Sequence, residues 1–267
     1  DGTATVALTV SGISDEAGNV AAVASSQTTS FVIDNTVPSV TTVSVNPTSG
    51  ILKLGDQAVF KIQFNESLRI SANPTLQIET GASDRNATCA VDVNDDATLL
   101  CTYTVGQGDN AESLSYVSAS SLSGSITDLA GNGASTSLPI PGSLDSPTFL
   151  LTASIDGISP SVISIIRGSS SALVGGGTPL TFTVTFSESI MGVTAATFTV
   201  NAGSGIKGTP PTVASVTGSG TTWTVTLGVT GTTGDYGSNT NATLGLSVVP
   251  ASNAIDAAGN ALASATV

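Results

Sequence analysis

The chain has 267 residues, 40% hydrophobic and only 9% charged, with 6 Lys+Arg against 19 Asp+Glu and a formal net charge of −13. That balance repels nucleic acid and anionic lipid, and the absence of His excludes Ser-His-Asp and Cys-His centres built from this chain alone, as well as the usual Zn, Cu and haem ligation. Surplus carboxylates suit hard divalent cations, Ca²⁺ above all, and no run is long and apolar enough for membrane insertion.

Taken in chain order, the pattern is period two. Short Val/Ile/Thr/Phe runs alternate with Gly, Asn, Asp, Ser and Pro, and no segment carries a helical period. Such spacing predicts an all-β chain of immunoglobulin-like β-sandwiches with Greek-key connections. The opening stretch contains Ile13-Ser14-Asp15-Glu16-Ala17-Gly18-Asn19 and then Phe31-Val32-Ile33-Asp34. Residues 1–36 therefore read as the closing strands of a sandwich that begins upstream. Residues 37–157 read as a complete sandwich, and 158–267 as another whose last strand is missing.

The register of the repeat is legible residue by residue. Ala58, Phe60, Ile62 and Phe64 alternate along one strand; Leu180, Phe182, Val184 and Phe186 do so 122 residues later. Leu76 and Ile78 match Phe198 and Val200 at the same offset, and Cys101, Tyr103 and Val105 match Trp223, Val225 and Leu227. The phrase Asp-x-Ala-Gly-Asn occurs at Asp15, Asp128 and Asp256, the last two 128 apart. About six residues are thus inserted late in the second copy, with Gly231 to Thr243 the natural place. Two boundary phrases, Ile33-Asp34…Pro38-Ser39-Val40 and Ile155-Asp156…Pro160-Ser161-Val162, mark short linkers in which a strand ends in Ile-Asp and Pro opens the next.

Gly-Asn is turn chemistry, since both residues tolerate positive φ, and an Asp three residues earlier can cap the turn or bind a cation. Glu66 and Glu188 each follow the last apolar residue of their strand by two, which places them on the core side at the sandwich rim. A carboxylate there needs a partner, and Lys+Arg is too scarce to supply one routinely. The expected metal ligands are Asp15 with Asp34 at the first junction and Asp128 with Asp156 at the second, extended by Glu66 and Glu188; Asp256, in the third copy of the turn, is a further candidate. Each Asp capping its turn and each Glu accepting backbone amides is the alternative. Asp92, Asp95, Asp96, Asp109 and Glu112 form an acidic patch that reads as a solvated loop or a weaker cation site.

Cys89 and Cys101 flank Asn94-Asp95-Asp96, a three-residue hairpin loop in this reading. Pairing Val93 with Ala97 puts the two cysteines directly opposite each other, where a disulfide forms in an oxidising compartment; two buried thiols are the alternative.

These phrases resemble the bacterial immunoglobulin-like repeats of very large surface proteins and adhesins. The residues that carry the resemblance are Val184 to Glu188, Phe64 to Glu66, Asn73-Pro74-Thr75-Leu76, the three Asp-x-Ala-Gly-Asn turns and the two boundary phrases. The resemblance implies an extended extracellular rod of tandem sandwiches, without enzymatic activity, calcium often stiffening its joints. The partners expected are the neighbouring repeats of the same chain. A host or biofilm surface ligand, or like subunits that exchange a strand in a filament, would be rival partners.

Overall fold

The computed structural model describes residues 2–7, 14–20, 28–141, 152–168, 179–206, 209–228, 242–250 and 253–263. Within them the regular structure is β apart from one 3₁₀ turn, Ala195–Thr197, and no helix is long and apolar enough to cross a membrane. Strands β1 (Gly2–Ala7) and β2 (Thr28–Ile33) form an antiparallel pair. There follow β3 (Val40–Asn46), β4 (Ser49–Lys53), β5 (Gln57–Phe64), β6 (Arg69–Ile70), β7 (Thr75–Glu79), β8 (Arg85–Asp92) and β9 (Asp95–Thr104). Then come β10 (Asn110–Ala111), β11 (Ser115–Tyr116), β12 (Leu122–Ser123), β13 (Ile126–Thr127) and β14 (Thr152–Asp156).

The larger sheet runs β11-β7-β8-β9-β5-β3, with β12 also on β7. A smaller sheet runs β10-β14-β4, in which β14 lies parallel to β4 and sets Asp156 beside Lys53. Leu52, Ala153 and Ile155 of the small sheet join Phe60, Ile62, Leu76, Ile78 and Leu99 of the large one in a single buried cluster, so the two sheets close as layers of a β-sandwich. Alternation explains which residues enter it: Ala58, Phe60, Ile62 and Phe64 are buried while Gln57 and Lys61 are exposed.

A second set of strands follows: β15 (Val162–Arg167), β16 (Leu180–Phe186), β17 (Phe198–Ala202), β18 (Val213–Ser219), β19 (Thr222–Leu227) and β20 (Leu244–Val248). They form a β15-β16-β19-β18 sheet and a β17-β20 pair around a separate cluster that includes Phe182, Val184, Phe186, Val225, Leu227 and Leu246. Val40↔Phe64 and Val43↔Ile62 recur here as Val162↔Phe186 and Ile165↔Val184, with a register irregularity after the first pair in both cases.

The register departs from the sequence alignment one strand later. Phe60 faces Cys101, but Phe182 faces Val225; Ile62 faces Leu99, and Val184 faces Trp223. Trp223 therefore occupies the place of Leu99, and the Val216–Val225 pair occupies that of Cys89–Cys101. The hairpins explain the shift. Between β18 and β19 the chain turns tightly through Gly220 and Thr221, with Gly220 at φ 62°. Between β8 and β9 the turn is Val93-Asn94, not the three-residue loop expected, and the ladder jumps from Val91↔Leu99 to Asp92↔Asp95. Asp95 makes that jump, accepting Ala97 N and Thr98 Oγ1 and so curling the return strand. Part of the length difference thus precedes Gly231 to Thr243, most of which lies outside the described residues. Cys89 and Cys101 remain directly paired and are joined by a disulfide, Cα–Cα 3.9 Å, wholly buried in the first cluster.

Candidate metal centres

The three Asp-x-Ala-Gly-Asn turns fold alike. In each, one Asp carboxylate oxygen accepts the Asn backbone N–H at 2.8 Å and the other accepts the Asn Nδ2 at 2.8 Å, at Asp15, Asp128 and Asp256. The intervening glycines, Gly18, Gly131 and Gly259, have φ of 81°, 94° and 93°, a region that a side chain makes costly. The capping role is therefore common to all three. Oδ1 also accepts a second backbone N–H in each turn, from Ala17, Gly131 or Gly259, so Oδ2 is the oxygen that keeps lone-pair capacity.

Two of the turns meet further carboxylates. Asp34, Glu66 and Asp128 converge, as do Asp156, Glu188 and Asp256, with one oxygen from each of the three lying within 4.8 Å of the others in both groups. The grouping differs from the sequence expectation. Asp128 joins Asp34, not Asp156, and Asp156 is met by Asp256. The reason is topological. Each turn lies at the end of its core where the chain enters: Ser135 N donates to Pro38 O at 2.8 Å and Ala263 N to Pro160 O at 2.8 Å. The boundary Asp therefore meets the turn that follows it by about a hundred residues. Asp15, expected beside Asp34, is exposed and among the described residues engages its own turn alone, whose hydrogen bonds, chiefly those of Asn19, hold its pKa below the usual value.

A second set of contacts positions the glutamates. Asn65 N donates to Ser39 O and Ser39 N to Asn65 Oδ1; likewise Ser187 N donates to Ser161 O and Ser161 N to Ser187 Oγ. Each reciprocal pair clips the linker to the residue just before Glu66 or Glu188. Sequence reading missed this role; the signal was the recurrence of a polar residue, Asn65 and Ser187, at the same offset of 122.

The electrostatics are those of crowded like charges. Desolvation, then the negative charges of Asp34 and Asp128, raise the Glu66 pKa above its ordinary value. Desolvation, then Asp256 and Asp156, raise that of Glu188. Burial works against the charge of Asp128, but the hydrogen bonds from Asn132, Gly131 and Ala130 outweigh it and its pKa is lowered. Among the described residues, Glu188 Oε1 is buried with no hydrogen-bond partner. A buried acceptor facing two carboxylates, with no donor in reach, is the environment that a cation would satisfy.

The acidic patch of the first core does not assemble in this way. Asp92 caps Asn94, Asp95 takes Gln63 and Thr98, Asp96 takes Ser67, and Asp109 is enclosed by Arg85, Tyr103 and Gly106 N. Among the described residues, the groups that bring three carboxylates together are the two at the linkers. No family model and no curated protein matches the chain.

Proposed function

We propose that the chain is a non-enzymatic structural segment of an extracellular or cell-surface protein, built of tandem immunoglobulin-like sandwiches whose junctions bind Ca²⁺. The observation that carries this reading is the composition of the two carboxylate groups. Each takes one residue from the linker, Asp34 or Asp156, and two from the body that follows, Glu66 with Asp128 or Glu188 with Asp256. A cation held there ties a linker to a core and stiffens the joint. Calcium suits the donor set because it takes six to eight oxygens in flexible geometry, which leaves room for carbonyls and water beside three carboxylates. The disulfide in the first core fits an oxidising compartment. The lack of His fits a mechanical role. The adhesin-like reading rests on the sequence resemblance.

The test is thermal unfolding of the intact chain in excess chelator and in millimolar Ca²⁺. Calcium at about a hundred times its dissociation constant adds about 2.7 kcal/mol per linked unfolding unit, which raises Tm by several degrees. A Tm that is the same in chelator and in calcium overturns the proposal.

A further inference from the structure

At the second junction one carboxamide touches three parts of the molecule. Asn260 Nδ2 donates to Asp256 Oδ2 at 2.8 Å, within its own turn, and to the linker carbonyl of Asp156, also at 2.8 Å. Its Oδ1 accepts the backbone N–H of Leu54 at 2.8 Å, and Leu54 belongs to the β4–β5 turn of the preceding core. The side chain is almost wholly buried, at 3% exposure. Asp156 lies beside Lys53 in the parallel β14–β4 ladder, so the linker ligand and the turn that receives Asn260 are adjacent. A Cβ on Gly259 would stand 3.5 Å from Lys53 Cδ, which shows how closely the two turns pack.

We propose that Asn260 is the positioning residue through which cation loading of the Asp156–Glu188–Asp256 group fixes the following core against the preceding one. This inference rests on the cation reading of that group. Asp256 is both a candidate ligand and the acceptor that orients Asn260. Three carboxylates without a cation repel one another and loosen the turn. A cation draws Asp256 toward Asp156, holds the Asn260 amide in place and aims Oδ1 at Leu54.

The geometry offers a substitution that cuts this contact without touching a carboxylate. Asp56 N donates to Lys53 O, Gly55 has φ +87°, and Leu54, like every described non-glycine residue, has negative φ. These features define a type II turn with Leu54 at its second position, where proline is favoured. Leu54→Pro suits the turn, deletes the donor to Asn260 and sets a ring carbon against Oδ1 in its place, which displaces the carboxamide; Leu54→Ala keeps the donor and serves as the control.

Nitroxides introduced through Val93→Cys and Ser219→Cys, both exposed positions, with the native disulfide left oxidised, report the distance distribution between the cores. Calcium titration calorimetry on the same proteins reports occupancy. The expected result is that calcium narrows the distribution in the parent protein and in Leu54→Ala. In Leu54→Pro it still binds, more weakly by the coupling that the contact supplied, and the narrowing is lost. If Leu54→Pro narrows as the parent does while binding calcium, the role of Asn260 is overturned and the metal site stands. If the parent protein binds no calcium, the site reading falls and this inference falls with it.

Discussion

At the scale of single residues, Glu188 is the group whose present environment fits it worst. Its Oε1 is buried without a donor, and burial followed by the charges of Asp256 and Asp156 raises its pKa above the ordinary 4.5. An acid whose folded pKa is raised opposes folding when ionised. The penalty is absent below the ordinary value and complete above the raised one, so stability of the cation-free protein increases as pH falls through that window. Calcium inverts the trend, because protons compete with the cation for the same oxygens. Asp128, with a lowered pKa, contributes stability that is lost only as pH falls through its own lowered value. Glu188→Gln should separate these terms. The amide can donate to Asp156 or Asp256, so in chelator the variant should melt about 2–5 °C above the parent, the size expected when a buried acceptor is relieved. In saturating calcium it should melt below the parent, having lost a ligand. Scanning calorimetry in both buffers reads the crossing; a variant that is the less stable in chelator as well would contradict the account.

At the scale of elements, what the sequence disclosed follows the strength of the local constraint. The alternation in β5 and β16 was readable because a one-residue slip would turn Phe60 or Phe182 to solvent. The cysteine pairing was readable by counting from a three-residue loop, and it holds although the turn is Val93-Asn94, because the bulge after Val91 restores the count. The β8–β9 turn and the true partner of Phe182 were not, because a bulge driven by Asp95 and a glycine turn at Gly220 change the count of residues without disturbing the apolar pattern. The site was half legible. The residue types and the recurrence of Asp34, Glu66 and Asp128 were visible, whereas their grouping depended on which end of the core each turn occupies, a long-range property. The buried pair of β8 and β9 also yields a test. The second core keeps its equivalent ladder with Val216 opposite Val225, so valines fit a comparable place. Cys89→Val with Cys101→Val should therefore fold and lose the constraint on the unfolded chain, about 2–4 kcal/mol for a bridge of this kind. The loss should appear in the unfolding of the first core alone, measurable by amide hydrogen exchange of β8 and β9 against β18 and β19. Equal loosening of both strand pairs would show that the two cores unfold as one unit.

At the scale of the whole molecule, the two carboxylate groups are near-copies with different surroundings, and that difference makes their number and independence measurable. Both take a linker Asp, a strand-end Glu and a turn Asp, and both hold the linker carbonyl through the turn Asn: Asn132 to Asp34 O at 3.0 Å and Asn260 to Asp156 O at 2.8 Å. Glu66 follows Phe64 of the first hydrophobic cluster and Glu188 follows Phe186 of the second, and the two groups have no residue in common. Two calcium ions per chain are therefore expected, with Glu66→Gln and Glu188→Gln each removing one and the double variant removing both. Additivity is the expectation for sites without common partners. Glu188, carrying the buried unpartnered oxygen, should show the larger loss of affinity on substitution, because its group has more to gain from the ion. Trp223, the single tryptophan, donates Nε1 to Gly220 O, which also accepts Ile190 N two residues beyond Glu188. Its emission should then respond to occupancy of the second site and ignore the first. Calorimetric stoichiometry and tryptophan emission, followed across the four proteins, distinguish two independent joints from one. A single ion per parent chain, or an emission change that survives Glu188→Gln and vanishes with Glu66→Gln, would refute the assignment of one cation to each linker.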